Sequence, residues 1–168
     1  MQASEFEEMY ARHAPAISAF ALRRTRDERD AEEVVSETFL IAWRRSEELH
    51  GDPLPWLYGV ARRVLAGQAR TRRRDPLELS VDVAAPEDGS LERAELVSAV
   101  LRLPELERDA LLLTVWEGLD QRACATALGC SRVAVALRLR RARARLRTTA
   151  PAAATPQSSR PPIPREAP

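Results

Sequence analysis

The sequence contains no lysine, only six glycines and 5% aromatic residues. It also has no run of about 18 apolar residues, so we expect no membrane-spanning helix. The acidic, amphipathic N-terminus lacks the basic and apolar segments of a signal peptide, which favours a cytoplasmic protein. Strand-like alternation is absent, whereas 45% of the 168 residues are hydrophobic, enough to form buried cores. These features together predict an all-α fold.

Two cysteines and two histidines are the whole supply of residues for thiol or imidazole chemistry. Cys124 and Cys130 lack metal-ligand spacing, and His13 and His50 lie far from them in sequence. Both cysteines fall at apolar positions, so we expect them to be small buried core residues. The histidines belong to no Ser, Cys or Asp constellation typical of an active site, which disfavours an enzyme. No cofactor or metal ion is expected.

The basic residues are 26 arginines, and half of them fall in two blocks although the net charge is only +1. Six lie between Arg62 and Arg74, and seven lie between Arg132 and Arg147. Between the blocks, the segment from Asp75 to Glu92 holds six acids, no base and two prolines. That composition predicts an extended, acidic linker. The Pro/Ala-rich segment 149–168 is typical of disorder.

The stretch from Asp120 to Arg147 predicts two helices around a tight turn. Asp120 is suited to cap the first helix, Gly129 to occupy the turn and Ser131 to cap the second helix. In the second helix, a core-facing stripe recurs at helical spacing: Val135, Leu139, Ala142 and Leu146. The rest of that helix carries arginines and no acid, which suits phosphates and guanine edges in a DNA major groove. The alternative is a solvated basic face at the end of a helix bundle.

Two short helices are predicted between the linker and this two-helix unit. The first runs from Leu91 to Leu103, with three residues facing inward: Val97, Val100 and Leu101. The second begins at Pro104 and ends before Gly118. Its residues expected to pack on the two-helix unit are Leu106, Ala110, Leu113 and Trp116.

The N-terminal part of the chain opens with two predicted helices. Ser4 to Glu7 form a capping-box pattern for the first, and the second begins near Asp30. The inner side of the second helix is formed by Val34, Val35, Thr38, Phe39 and Ala42. The helix has three further apolar residues, Leu40, Ile41 and Trp43, which are more than a single inward-facing stripe requires. Either this helix is buried on two sides, or it presents an apolar patch to a partner.

A loop rich in glycine and proline precedes a third helix, in which Pro55 suits the first position. Its predicted buried residues are Leu57, Val60, Ala61, Val64 and Leu65. Trp56 and Tyr58 lie at its start, and Arg62 and Arg63 follow one to two turns later. Aromatics interleaved with arginines suit single-stranded nucleic acid, because bases stack and phosphates pair with guanidinium groups. The alternative makes Trp56 a core anchor and the arginines a solvated helix end.

Three motifs follow one another along the chain: DAEEVVSETFLIAWRR, PWLYGVARRVL, and LPELERDALLLTVWEGLDQRACATALGCS followed by VALRLRRARARL. In order and spacing they resemble the extracytoplasmic-function (ECF) group of bacterial RNA polymerase sigma factors. The first motif is similar to the core-binding helix of that family, and the second to its W-L-x-x-I-A-R-N segment. The third is similar to its C-terminal helix-turn-helix domain. The resemblance covers about residues 4–147.

The resemblance implies two small helical domains: a sigma region 2-like domain at 1–74 and a region 4-like helix-turn-helix domain at 91–148. An acidic flexible linker at 75–90 joins them, and a disordered tail occupies 149–168. The implied function is that of a bacterial cytoplasmic sigma factor, which binds core RNA polymerase, directs it to specific promoters and is silenced by an anti-sigma factor. The alternative is a stand-alone helix-turn-helix regulator without affinity for core polymerase.

The resemblance also assigns residues to three surfaces. The core-polymerase surface comprises Asp30, Glu33, Ser36, Glu37, Leu40 and Trp43. The surface for the melted −10 DNA comprises Trp56, Tyr58, Arg62, Arg63, Arg70, Arg72 and Arg73. The surface for the double-stranded −35 DNA comprises Ser131, Arg132, Ala134, Arg138, Arg140 and Arg141.

Four positions depart from the pattern of the family. Ser36 replaces the usual Gln of the core-binding helix. Arg63 stands at the position of the usual Asn, which is implicated in the −10 element. Ala136 and Leu137 replace a polar pair on the recognition helix. The promoter preferences of related factors therefore do not carry over to this chain.

Overall fold

The computed structural model describes residues 2–72 and 91–149, and every regular element in these ranges is a helix. The helices are α1 (Ala3–Thr25), α2 (Glu28–Arg44), α3 (Leu54–Arg72), α4 (Leu91–Leu101), α5 (Glu105–Val115), α6 (Gln121–Leu128) and α7 (Arg132–Thr149), with a short 3-10 turn at Ser46–Glu48. The predicted all-α fold is confirmed. The predicted linker and, apart from its first residue, the predicted tail lie outside the described residues.

The starts of α1 and α2 differ from those predicted. α1 begins after Gln2, whose backbone N–H donates to Glu5 Oε2 at 2.7 Å, and not at Ser4. α2 begins after Asp27, whose Oδ1 accepts from the Asp30 backbone N–H at 2.9 Å. Both helices start earlier in the chain than predicted. Acidic residues suited to a first helical turn recur every two or three residues in these segments, so the local pattern fits more than one register.

Helices α1, α2 and α3, the N-terminal unit, contact one another around a shared core. The inner face predicted for α2 is confirmed, since all five of its residues are buried: Val34, Val35, Thr38, Phe39 and Ala42. α3 contributes four of its five predicted residues, Leu57, Val60, Ala61 and Val64, while Leu65 is half-buried. α1 supplies Ile17 and Phe20, which are fully buried. α3 begins at Leu54, so Pro55 is its second residue.

The C-terminal unit, α4 to α7, contains the predicted two-helix unit at α6 and α7. Asp120 Oδ1 accepts from the Ala123 backbone N–H at 2.7 Å and caps α6. Gly129 ends α6 at a φ of 61°, a conformation that favours glycine. Ser131 Oγ accepts from the Ala134 backbone N–H at 3.2 Å at the start of α7. All three local predictions are confirmed.

The buried faces of the C-terminal unit follow the predicted stripes only in part. The stripe of α7 is confirmed, with Val135, Leu139 and Ala142 buried and Leu146 half-buried. On α5, Ala110 and Leu113 are buried as predicted, but Leu106 is 45% exposed and Trp116 is 44% exposed. Leu106 lies in the first turn of α5 and Trp116 follows its last residue. The neighbouring helices do not cover these two ends, so the prediction was wrong there.

Helix α4 is shorter than predicted. It ends at Leu101, two residues before the predicted end at Leu103. Its three expected inward residues, Val97, Val100 and Leu101, are half-buried, and Ala99 and Leu103 are buried instead. α4 contacts α7, which places it on the outside of the C-terminal unit.

The two units pack against each other through α3 and α6. Gly59 of α3 lies so close to α6 that an added Cβ would stand 2.7 Å from the backbone oxygen of Ala127. Two helix backbones approach this closely only where no side chain separates them. We call this packing of α3 on α6 the closed arrangement.

Candidate polymerase and nucleic-acid interfaces

One face of α2 carries the residues predicted to contact core polymerase. Glu33, Glu37 and Leu40 recur at helical spacing and are exposed, as are Ser36 and Trp43. Asp30, the sixth predicted residue, is half-buried in the first turn of α2. Leu40 is 47% exposed and Trp43 is 43% exposed. α2 is therefore buried on one side only and presents an apolar patch on the other.

Helix α1 extends this patch with two aromatics that the sequence analysis had not assigned to the core-polymerase surface. The Phe6 ring meets the Trp43 ring edge to face, with 5.1 Å between the ring centroids. Tyr10 is 44% exposed, and its ring lies 4.7 Å from the ring of buried Phe39. Such T-shaped contacts hold exposed rings in defined orientations. Tyr10 follows Phe6 by one helical turn, and this spacing is the sequence feature from which the patch could have been predicted. The aromatic patch comprises Phe6, Tyr10, Leu40 and Trp43.

A groove of about 560 Å³ lies beside this face, between α2 and α3. It is lined by Glu33, Glu37, Ile41, Arg63, Val64, Gly67, Gln68 and Thr71. The two acids of α2 thus share a groove with an arginine predicted to bind −10 DNA. Burial lowers the pKa of Arg63, and the positive charges of Arg45 and Arg62 lower it further, but a guanidinium stays protonated at neutral pH.

The aromatics predicted to stack on −10 bases are covered. Tyr58 is only 3% exposed, and its ring centroid lies 5.1 Å from that of Phe20. Trp56 is half-buried and packs against the core, which agrees with the core-anchor alternative. No base can stack on Tyr58 in the closed arrangement. The sequence pattern could not show this cover, because the contacts of Tyr58 come from residues distant in sequence, Phe20 of α1 and Glu117 of the C-terminal unit.

Glu117, in the turn after α5, is the centre of that cover. Its side chain is 4% exposed, and its Oε2 lies 2.6 Å from an Arg23 guanidinium nitrogen. Its Oε1 lies 3.7 Å from Arg24 Nη1, and the Tyr58 hydroxyl donates to Oε2 at 3.3 Å. The Glu117 cluster comprises these four residues. It joins α1 and α3 of the N-terminal unit to the C-terminal unit.

Two pKa shifts indicate that the surroundings of the Glu117 cluster are of low polarity. Burial lowers the pKa of Arg24 to about 10, although the carboxylate of Glu117 raises it. Burial raises the pKa of Tyr58 to about 12, and the negative charge of Glu117 raises it further. Both shifts disfavour the charged form, as expected when charge leaves water.

The arginines of α3 have different surroundings. Arg62 Nη1 donates to Asp109 Oδ2 of α5 at 3.1 Å, so its guanidinium is engaged by the C-terminal unit. Burial raises the pKa of Asp109, and Arg62 opposes that shift. Arg63 and Arg70 are exposed. The side chain of Arg72 and all of Arg73 lie outside the described residues.

The residues of α7 predicted to contact −35 DNA, together with the capping residue before it, differ in their exposure. Ser131, Arg132, Arg140 and Arg141 are exposed, whereas Ala134 and Arg138 are half-buried. Two further side chains of α7, Val133 and Leu137, are exposed and had not been assigned to the surface. Val133 is 78% exposed and Leu137 is 43% exposed.

The two cysteines border this helix without forming a disulfide. Cys124 is fully buried as predicted, and burial raises the pKa of its thiol. Cys130 is half-buried and packs against the core, so the prediction of a buried core residue holds for it only in part. Arg138 Nη1 donates to Cys130 Sγ at 3.2 Å. This contact directs the Arg138 side chain towards the turn between α6 and α7.

The part of the chain that the structure describes contains no helix long and apolar enough to cross a membrane. Within the same ranges, no group of three or more His, Cys, Asp or Glu side chains is arranged to hold a metal ion.

Comparisons with known proteins match both units. Residues 9–75 match Sigma-70 region 2, and residues 93–146 match Sigma-70, region 4. The RNA polymerase sigma factor NccH of Alcaligenes xylosoxydans xylosoxydans is 30% identical over 77% of this chain and 78% of that protein. The ECF RNA polymerase sigma factor SigL of Mycobacterium tuberculosis is 30% identical over 76% of this chain and 78% of that protein.

A solved structure shows the same fold. The sigma factor RpoE of Bartonella quintana, crystallised with the anti-sigma factor NepR, is 25% identical with a TM-score of 0.66, over 88% of this chain and 97% of that chain. Helical units that match region 2 and region 4, together with these relatives, place the chain in one family. It belongs to the ECF-type sigma factors of the sigma-70 family, which are not enzymes and direct RNA polymerase to specific promoters for transcription initiation.

Proposed function

We propose that this sigma factor uses three separate surfaces, one for core polymerase and two for promoter DNA. The observation that supports this division is the opposite character of two exposed helix faces. The outward face of α2 combines acids with the aromatic patch, whereas α7 carries seven arginines and no acid. The first composition suits a basic, partly apolar protein surface, and the second suits DNA phosphates.

The α2 face is the proposed docking surface for core polymerase. Trp43 supplies a large apolar side chain whose orientation is fixed by Phe6, and such aromatics commonly dominate binding energy at interfaces. Glu33 and Glu37 add negative charge on the same face, which steers a basic partner into register. Phe6 and Tyr10 extend the proposed surface onto α1.

The N-terminal unit, proposed to span 1–74, would bind the melted −10 DNA through α3. Tyr58 and Arg62 are engaged by the C-terminal unit, so this role requires the closed arrangement to open. Arg63 and Arg70 are exposed without any opening. The C-terminal unit, proposed to span 91–148, would bind the −35 duplex through α7. The acidic linker at 75–90 would allow the two units to separate.

A partner that keeps the chain inactive is also proposed. The RpoE structure from Bartonella quintana contains an anti-sigma factor. We propose that a protein of this class binds the present chain and that both act in the cytoplasm, where polymerase and promoter DNA are found.

Retention by purified core polymerase, followed by run-off transcription, tests the α2 surface. The variant Glu37→Arg with Trp43→Ala should lose both activities, because truncating an aromatic anchor costs about 2 kcal/mol or more and the reversed charge adds repulsion. The matched control is Glu8→Arg with Leu22→Ala. It changes an exposed acid and a 41%-exposed leucine on the opposite side of α1.

The control should bind core polymerase as the unmodified chain does, and circular dichroism should show that both variants are folded. A folded Glu37→Arg, Trp43→Ala variant that still binds core polymerase tightly would overturn the α2 assignment.

A further inference from the structure

Two large apolar side chains occupy the face of α7 that points away from the core. Val133 is 78% exposed, more than any other large hydrophobic side chain of the described residues, and Leu137 is 43% exposed. They are one helical turn apart. At about 100° per residue, both lie roughly opposite the buried stripe that includes Val135 and Leu139. A helix that serves only to close the core has no use for apolar residues at these positions.

The surroundings of this pair indicate the chemistry of its partner. Arg132, Arg140 and Arg141 are exposed around it, and no acid occurs anywhere in α7. An apolar pair within a ring of arginines fits a polyanion that also displays apolar groups. Duplex DNA meets that description, because the thymine C5-methyl group projects into the major groove between two phosphate backbones.

The pair also lies at the right place along the helix. Val133 and Leu137 fall in the first two turns after the capping residue Ser131. In helix-turn-helix proteins, the N-terminal residues of the second helix contact base edges. Valine and leucine have no hydrogen-bond donor or acceptor in their side chains, so they cannot read a base by hydrogen bonding. Methyl contact is the readout available to them.

We propose that Val133 and Leu137 read thymine methyl groups in the −35 element, so that the preferred element contains thymine at the base pairs they meet. This inference rests on the proposed −35 role of α7. The side-chain donors of the neighbouring arginines remain available for phosphates.

The test uses holoenzyme assembled from the full chain and core polymerase. A preferred −35 element is first selected from a randomised duplex pool. Each thymine in it is then replaced in turn by deoxyuridine, which removes the methyl group and keeps the hydrogen-bonding edge. At two positions, one for each side chain, the removal of a buried methyl should weaken binding about fourfold. Deoxyuridine placed outside the element is the control and should change nothing.

Protein variants assign the methyl contacts to residues. Val133→Ala and Leu137→Ala should each remove the sensitivity to deoxyuridine at one position and leave the other sensitive position unchanged. Both side chains are exposed, so these variants should fold, and Leu96→Ala, at a 53%-exposed leucine of α4, is a matched truncation away from α7. Leu96→Ala should retain full sensitivity to deoxyuridine at both positions.

A separate variant distinguishes failure of this inference from failure of the proposed −35 role. A variant in which Ala replaces Arg132, Arg140 and Arg141 together should bind the −35 element more weakly. The slope of log affinity against log salt should also become flatter, by about 0.9 for each phosphate that is no longer neutralised. Unchanged affinity and salt dependence would overturn the −35 role of α7 itself.

If that triple variant binds weakly but deoxyuridine has no effect at any position, the methyl inference alone is overturned. Equal deoxyuridine effects on the unmodified chain and on both alanine variants overturn it as well, as does a selected element without thymine on either strand. One further outcome would overturn the methyl inference: Val133→Ala alters self-association of the chain, and DNA binding is insensitive to methyl removal. That result would assign Val133 and Leu137 to an interface between two copies of the chain.

Discussion

Helix α3 carries four arginines of the first block and α7 carries all seven of the second, and the fold exposes the two helices to different degrees. On α7, the cap, the arginines Arg132, Arg140 and Arg141, and the apolar pair are exposed. On α3, Tyr58 is buried and Arg62 is paired with an acid of the C-terminal unit. A residue pattern suited to nucleic acid therefore indicates what a helix can bind, but not whether that surface is uncovered.

The cover over α3 is specific in its chemistry. Glu117 offers one carboxylate to two arginines and a tyrosine hydroxyl, and Gly59 lets α6 approach the backbone of α3. Removing one partner of a buried ion pair is costly because the remaining charge stays uncompensated. Domains of one chain nevertheless often move relative to each other as rigid bodies. This combination suits a closed arrangement that is well defined and still able to open as a whole.

The largest expected effect comes from separating α3 from α6. Gly59→Leu would place side-chain atoms where Ala127 now lies, since even a Cβ would stand 2.7 Å from its backbone oxygen. We expect the units to move apart and the radius of gyration from small-angle X-ray scattering to increase. Helicity should be kept, because leucine is a better helix former than glycine.

Gly67→Leu is the matched control, because a Cβ at Gly67 of the same helix meets no atom within 4 Å. It should leave the radius of gyration unchanged. An unchanged scattering profile for Gly59→Leu would show that the packing of α3 on α6 does not determine how the units are arranged.

The next effect concerns the charge at the centre of the cover. Glu117→Gln keeps the size of the side chain but removes the carboxylate that pairs with Arg23 and Arg24, which should lower the free energy of unfolding by about 3 kcal/mol. Glu48→Gln is the comparison. Glu48 accepts from Arg45 at 2.6 Å, but both side chains are about half exposed, so we expect a change of about 0–1 kcal/mol.

Urea titration of both variants measures the difference. Equal destabilisation of the two would mean that Glu117 is solvated in solution and that the closed arrangement does not depend on it.

The difference between α3 and α7 also marks the limit of prediction from sequence. Asp120, Gly129 and Ser131 were assigned correctly because capping and turn formation depend on neighbours within a few residues. The inward stripes of α2 and α7 followed from helical periodicity in the same way. Such signals are local, and they were sufficient to predict most of the helices. The residues of the three candidate surfaces were assigned from the family resemblance, and that assignment stays a prediction.

The cover over α3 could not be predicted by the same means. Tyr58 and Glu117 are 59 positions apart in sequence, and Arg23 and Glu117 are 94 positions apart. Glu117 precedes a glycine in a turn, where an acid is ordinarily solvated. In the sequence, Gly59 looks like any glycine within a helical pattern, and nothing nearby indicates that α6 packs against it. Only the tertiary structure shows that these residues act together.

The smallest effect is a titration that reports the closed arrangement directly. The chain has two tyrosines, so Tyr10→Phe leaves Tyr58 as the only phenol. Because burial and Glu117 raise the pKa of Tyr58 to about 12, its phenolate absorbance should grow in near pH 12 and not near the ordinary value of about 10. The phenol ionises first in the unfolded chain, so its contribution to stability is complete below pH 10 and is lost as the pH rises towards 12.

The lowered pKa of Arg24, about 10, contributes with the opposite sign, because the unfolded chain holds that proton to higher pH. Stability alone would therefore mix the two groups, and the phenolate absorbance is the cleaner measurement. Combining Tyr10→Phe with Gly59→Leu sharpens the comparison. Once α3 leaves the C-terminal unit, Tyr58 loses the negative charge of Glu117 and part of its cover, although Phe20 of α1 stays beside its ring, and its midpoint should fall from about 12 towards about 10. A midpoint near 10 without Gly59→Leu would mean that Tyr58 is already uncovered in solution, and α3 would then be as accessible to DNA as α7.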